Sequence, residues 1–211
     1  MGEELASRRV MWKQPYFLAL VSALFLGTGW CNEAEKTTPD SDIVKFLNGS
    51  DIIWTTSTTD ELYPRCKMDA IKNTNTTKIL FGRYYYVPGQ WKWGGNSRLV
   101  GTFGTWSPER AKAGSPYDSV NVTANGLWRN TEILEFQSSD QSCGVFAILS
   151  RWSMKPDFEL RVKDSAVHNA PKAECLRWFK RNLQGKRAKK SYKGKCKQWL
   201  YDHHPRYLTK G

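Results

Sequence analysis

The stretch SVNVTANGLWRNTEILEFQSSDQSCGVFAILSRW, residues 119–152, contains three β-type runs and two turn signals. Ser119–Ala124, Glu132–Gln137 and Gly144–Trp152 are rich in β-branched, aromatic and aliphatic residues, with Asn125-Gly126 and Ser138-Ser139-Asp140 between them. Asn-Gly accepts the positive φ of a tight hairpin, so neighbouring runs pair antiparallel. Outward from there, the same pattern predicts strands near Ile52–Thr58, Arg65–Ile71, Lys78–Val87, Arg98–Thr105 and Phe158–Lys163. The separators are Asn73-Thr74-Asn75, Pro88-Gly89, Gly94-Gly95-Asn96, Gly114-Ser115-Pro116 and Lys155-Pro156-Asp157. Eight short sequential strands with hairpin-sized connections predict an all-β domain, either an up-and-down antiparallel barrel or a sandwich.

Helical spacing appears on both flanks. Asp40, Ser41 or Asp42 caps a short helix in which Ile43, Phe46 and Leu47 fall at i, i+3 and i+4, and Asn48-Gly49 ends it. Such a helix would serve as a lid or plug. After Asn169 and Pro171, the residues Cys175, Trp178, Phe179 and Leu183 recur at helical spacing, and Gly185 closes the run. Trp178 and Phe179 are expected to face the strands.

The N-terminus sets the compartment. Arg8, Arg9 and Lys13 precede a nearly apolar run from Pro15 to Leu26, followed by small residues at Gly27, Thr28 and Gly29. That is the pattern of a cleavable secretory leader, shorter than the roughly 20 residues a membrane helix needs. Cleavage is expected between Gly29 and Asn32, which removes or exposes Cys31. In an oxidising compartment Cys66, Cys143, Cys175 and Cys196 read as two disulfides, for which four cysteines allow three connectivities. Asn48, Asn75 and Asn121 begin glycosylation sequons. The expected division is a leader over 1–31, a stem and short helix over 32–50, a barrel over 51–170, and a helix with a basic tail over 171–211. A secreted, extracellular monomer without a membrane span is expected.

Charge is unevenly placed. Without residues 1–31 the chain has 29 basic and 18 acidic residues, and residues 172–211 hold 13 of the basic ones against Glu174 and Asp202 alone. The body is therefore neutral and the tail cationic. Lys186, Arg187, Lys189 and Lys190 form a short cluster that fits a polyanion such as a glycosaminoglycan. No nucleic-acid partner is expected. Enzymatic chemistry has no support: His168, His203 and His204 lie outside the strands, and the sequence has no nucleophile elbow or zinc-type spacing. No catalytic residue, metal or cofactor is assigned.

Ser139-Asp140-Gln141-Ser142-Cys143-Gly144-Val145-Phe146, Phe158-Glu159-Leu160-Arg161-Val162, Cys175, and Tyr192 before Cys196 resemble the tick salivary lipocalins typified by the histamine-binding proteins. Asp42-Ile43-Val44-Lys45-Phe46-Leu47 is similar to their opening Asp-Ala-Trp-Lys segment without its Trp. The Gly-x-Trp signature of lipocalins at large is missing before the first strand. The resemblance implies an eight-stranded lipocalin-type barrel with a C-terminal helix packed outside and a short N-terminal helix. It also implies disulfides Cys66–Cys196 and Cys143–Cys175.

Its members sequester host mediators: biogenic amines such as histamine or serotonin, or lipids of the leukotriene type. A buried carboxylate beside aromatic faces suits an ammonium. By its match to the family's amine-binding glutamate, Glu159 is the first candidate. Glu135 is a second carboxylate, and Trp54, Tyr84 and Tyr86 are candidate walls, since at least one ring of Tyr84-Tyr85-Tyr86 must point inward. Where the family prototype has an acid after the cysteine, this chain has Gly144. Arg83, Arg98 and Arg161 would suit a lipid carboxylate if they face inward.

Overall fold

The computed structural model describes residues 41–49, 52–62, 64–87, 92–151, 153, 155–169 and 171–203. The leader, the stem over 32–40, Cys31 and His204 lie outside the described residues. Eight antiparallel strands follow in chain order: β1 (Ile52–Thr58), β2 (Arg65–Thr74), β3 (Lys78–Val87), β4 (Lys92–Gly104), β5 (Ser119–Ala124), β6 (Leu127–Gln137), β7 (Cys143–Ser150) and β8 (Asp157–Lys163). Each pairs with the next, and β1 pairs with both β2 and β8, so the sheet closes into a barrel. Closure rules out the sandwich and removes the free edges. Asn125 and Gly126 take φ values of 51° and 76°, the two positive angles of the expected tight hairpin.

Gly94-Gly95-Asn96 is not a turn. β4 runs straight through it: Gly94 and Gly95 pair in register with Tyr85 and Tyr84, and the bulge opposite Phe81–Arg83 follows between Asn96 and Leu99. Gly95 sits there at φ 135°, and a Cβ on it would collide with the carbonyl oxygen of Arg83. The close approach fixes the backbone from which Arg83 projects.

The barrel separates two cores. Phe136, Val145, Phe158, Leu160 and Val162 point outward, beneath the helix α3 (Ala173–Arg181) and the C-terminal segment. Trp178 stacks on Phe136 with ring centroids 5.3 Å apart, as its helical spacing predicts. Ile71, Phe81, Leu99, Val120, Val122 and Phe146 point inward, beside the helix α1 (Ile43–Leu47). Asp42 caps α1, its side chain accepting from the Lys45 amide at 3.1 Å. Phe46 then reaches the Phe146 ring, 5.4 Å between centroids, in the space that a side chain at position 144 would need. Gly144 thus makes room for the plug, and this half of the interior is filled by protein.

Cys66 is bonded to Cys196 and Cys143 to Cys175, with Cα atoms 5.2 and 6.4 Å apart. The tail is more ordered than its charge suggests. Within the basic tail, Lys189–Lys190 form a short strand, β9, and Lys195–His203 form a helix, α4. A helix of five residues over Pro108–Lys112, α2, is also additional; Ser107 caps it and Pro108 opens it. β2 pairs with β1 only over Ile52–Trp54, and after the bulge between Thr55 and Ser57 it is β9 that pairs with β1. The tail therefore borders the upper part of the β1–β2 seam. Among the described residues no helix is long and apolar enough to cross a membrane.

Candidate functional site

Above the Phe81 and Phe146 rings the interior becomes ionic. Strand alternation sends Lys67 and Asp69 of β2, Arg83 of β3, Glu132 of β6, and Glu159 and Arg161 of β8 to the same inner face. Three cations and three carboxylates there form one network. Arg83 clasps Asp69 through Nε at 2.6 Å and Nη2 at 2.7 Å, and its Nη1 donates to Glu132 at 2.7 Å. Arg161 donates from Nη1 to Glu132 at 2.6 Å and from Nε to Glu159 at 2.8 Å. The remaining oxygen of Glu159 takes the Lys67 ammonium, and Thr55 Oγ1 donates to Glu159 at 3.3 Å. The set is formally neutral.

Its members differ in access to water. The Arg161 side chain is 1% exposed and the carboxylates 2–6%, whereas Lys67 and Arg83 retain 12% and 13%. The cluster is thus closed by cations on its wetter side. Burial pushes the Glu159 carboxyl up, but Lys67 and then the Arg161 and Arg83 guanidiniums outweigh it and hold the group at about 2. Burial acts the same way on Glu132, and Arg161 and Arg83 again prevail, so its carboxyl lies well below the ordinary range. Both are ionised at neutral pH. The Arg161 guanidinium also lies over the Phe146 ring at 4.4 Å, where the ionic and apolar halves meet.

The other expected contacts fall elsewhere. Glu135 is exposed on β6, because a bulge between Leu134 and Phe136 breaks the alternation; Glu132 is the buried carboxylate of that strand. Trp54 is fully buried on the outer face, donating Nε1 to Asp164 at 2.8 Å and packing edge-on against Tyr192. Tyr84 belongs to the same outer core, and Tyr86 lies tilted against Trp199 of α4, 4.9 Å between ring centroids. Trp54 and Tyr86 thus pack against the tail, Tyr84 lies in the same outer core, and none of the three lines the interior. Arg98 is exposed, while Arg83 and Arg161 point inward. Lys67, Asp69 and Glu132 were not singled out in the sequence. The signal was there: on β2 and β8 the charged set alternates with an apolar set that the C-terminal elements cover, which leaves only the interior for the charges.

An open groove of about 490 Å³ lies at the α1 end, lined by Asp42, Val44, Thr105, Ala111 and Tyr117 among others, and none of the ionic cluster borders it. Asn48, Asn75 and Asn121 are exposed, Asn121 in the middle of β5 and not in a turn.

The chain matches no family model and no curated protein. Among solved structures it is similar to AM182 in its serotonin complex, with 20% identity and a TM-score of 0.54 over 75% of this chain and 94% of that one. This is the lipocalin fold. Two further solved structures are similar to this chain at lower scores. Japanin from Rhipicephalus appendiculatus, bound to cholesterol, matches at 13% identity and TM-score 0.44 over 63% of this chain and 86% of that one. Per a 4 from cockroaches matches at 14% and 0.47 over 77% and 94%.

Proposed function

We propose that this lipocalin-fold protein is a secreted scavenger that removes a small host mediator from solution, and that the mediator is a biogenic amine of the histamine or serotonin kind. The observation carrying this reading is the Lys67–Glu159 pair inside the barrel. Glu159 already holds an alkylammonium, supplied by a long flexible side chain near the wetter end. A ligand ammonium can replace it in kind: Glu159 keeps a cationic donor, Arg161 stays bound, and Lys67 swings into water. The exchange leaves the neutrality of the buried set unchanged, whereas an added cation without displacement would leave a buried excess charge. The serotonin complex of AM182, on the same fold, supports this choice of ligand class. The protein acts by holding its ligand, not by transforming it.

Titration calorimetry tests the exchange. Serotonin or histamine is expected to give saturable one-to-one heat with the native protein. Glu159→Gln removes the charge-assisted bond, worth about 1.5–3 kcal/mol, and should weaken the amine roughly ten- to a hundredfold. Lys67→Met removes the internal competitor while Arg161 continues to hold Glu159, and should tighten the amine about tenfold. Unchanged amine affinity in both variants would reject the roles given to these two residues.

A second reading rests on the inward Arg83 and Arg161. With Lys67 and Arg83 outermost in the cluster, a lipid mediator bearing a carboxylate would meet two cations first. Lys67→Met separates the two readings by sign: it should weaken a fatty carboxylate and strengthen an amine.

A further inference from the structure

The tail charge has a defined shape. Residues 186–196 form a strap fastened to the barrel along its length. Lys186 donates to the Pro156 carbonyl at 2.8 Å and to Asp157 at 2.7 Å; β9 pairs with Thr58 and Ser57. Lys189 donates to the Glu61 carbonyl at 2.9 Å, Ser191 Oγ to the Pro64 carbonyl at 2.8 Å, and Cys196 is bonded to Cys66. The inward side chains Ser191 and Tyr192 are buried. Two of the four cations expected to meet a polyanion, Lys186 and Lys189, are thus spent on fastening.

What remains outside is a different set. Arg187, Lys190, Lys193 and Lys195 are exposed and have no ion pair among the described residues, and Arg181 precedes them across the turn at Gln184 and Gly185. No acidic residue occurs between Glu174 and Asp202. A row of cations on a pre-ordered strap binds an extended polyanion without an ordering cost to the protein, and each contact releases counterions.

We propose that this strap is a docking surface for a linear sulfated polysaccharide, with Arg187, Lys190, Lys193 and Lys195 as its contacts. The strap's one ring, Tyr192, is turned inward, so it offers no stacking platform for nucleic-acid bases. Among the described residues of the neighbouring connection, Leu62 is the one exposed large apolar side chain, too little to insert into a lipid surface. The surface is separate from the barrel interior and does not rest on the amine reading.

The test uses a size-defined heparin oligosaccharide and the full mature chain. The variant Arg187→Gln/Lys190→Gln/Lys193→Gln changes only outward side chains. A control of equal charge loss, Lys78→Gln/Lys112→Gln/Arg129→Gln, alters exposed cations outside the tail. The strap variant should lose at least about tenfold in affinity at physiological salt, and its slope of log affinity against log salt should fall by about 2–3, a little under one per lost contact. The control should retain the native values. Equal losses in both variants, no loss in the strap variant, or tighter strap-dependent binding to phosphatidylserine vesicles or single-stranded DNA than to heparin would overturn the proposal. Melting temperatures of both variants confirm folding, and amine titration of the strap variant reads the interior site independently.

Discussion

Arg161→Met is expected to cost about 3–5 kcal/mol of folding stability, because it leaves buried carboxylates without their shared cation. Arg161 is 1% exposed and bonds Glu132 and Glu159 at once, so no water replaces it. For a domain of this size the melting temperature should fall by on the order of 10 °C. The double variant Arg161→Met/Glu132→Leu should lose less than the sum of its single changes, since it removes a charge together with its partner. Acid reports on the same network with a defined sign. Glu159 titrates at about 2 in the folded protein against an ordinary 4.5, so its contribution is fully present above pH 4.5 and is lost as pH falls from there to about 2. In Arg161→Met that acid dependence should flatten. A loss below about 1 kcal/mol in denaturant melts at pH 7 would show that the cluster does not hold the barrel together.

The second large effect concerns the tail. Removing the Cys66–Cys196 bond as a Cys66→Ala/Cys196→Ala pair opens a link between residues 130 apart in sequence, against 32 for Cys143–Cys175. Chain entropy gives about 5 and about 4 kcal/mol respectively as upper figures, with 2–4 kcal/mol typical of measured cases. The first bond also fastens the strap and α4 over Trp54, Tyr84 and Tyr86, so its loss should expose the chain near Lys193 and Lys195 to trypsin before the barrel unfolds. Urea midpoints of the two double variants, with limited proteolysis alongside, measure this. Equal midpoints and an uncut tail in the first variant would contradict it.

The strands could be read because they alternate and are bounded by turn residues, and the Asn125-Gly126 hairpin is a local preference that the fold keeps, although β4 and β6 begin earlier, at Lys92 and Leu127. Gly94-Gly95 reads as a turn, but here glycine serves a close approach between strands: Gly95, at φ 135°, lies against the Arg83 carbonyl, where a Cβ would collide. α4 carries the same i, i+3, i+4 spacing in Cys196, Trp199 and Leu200 as α3 does in Cys175, Trp178 and Phe179, but the density of lysines around it marks the stretch first as a basic tail. The resemblance singles out Glu159, but the ion-pair setting in which the structure places it has no local signal, since the pairing that brings Lys67, Asp69, Arg83 and Glu132 to it spans four strands. The aromatic rings lie elsewhere for a related reason: in this barrel the outer face of β1–β3 is itself a core, covered by the tail, so Trp54 and Tyr84 are buried and Tyr86 half-buried without facing the interior.

The most direct test is a crystal structure of the native protein with serotonin bound. The ligand ammonium should lie at about 3 Å from a Glu159 carboxylate oxygen, with Arg161 still in contact and the Lys67 ammonium displaced toward solvent. Serotonin bound elsewhere, with the Lys67–Glu159 pair intact, would contradict the exchange on which the proposed function depends.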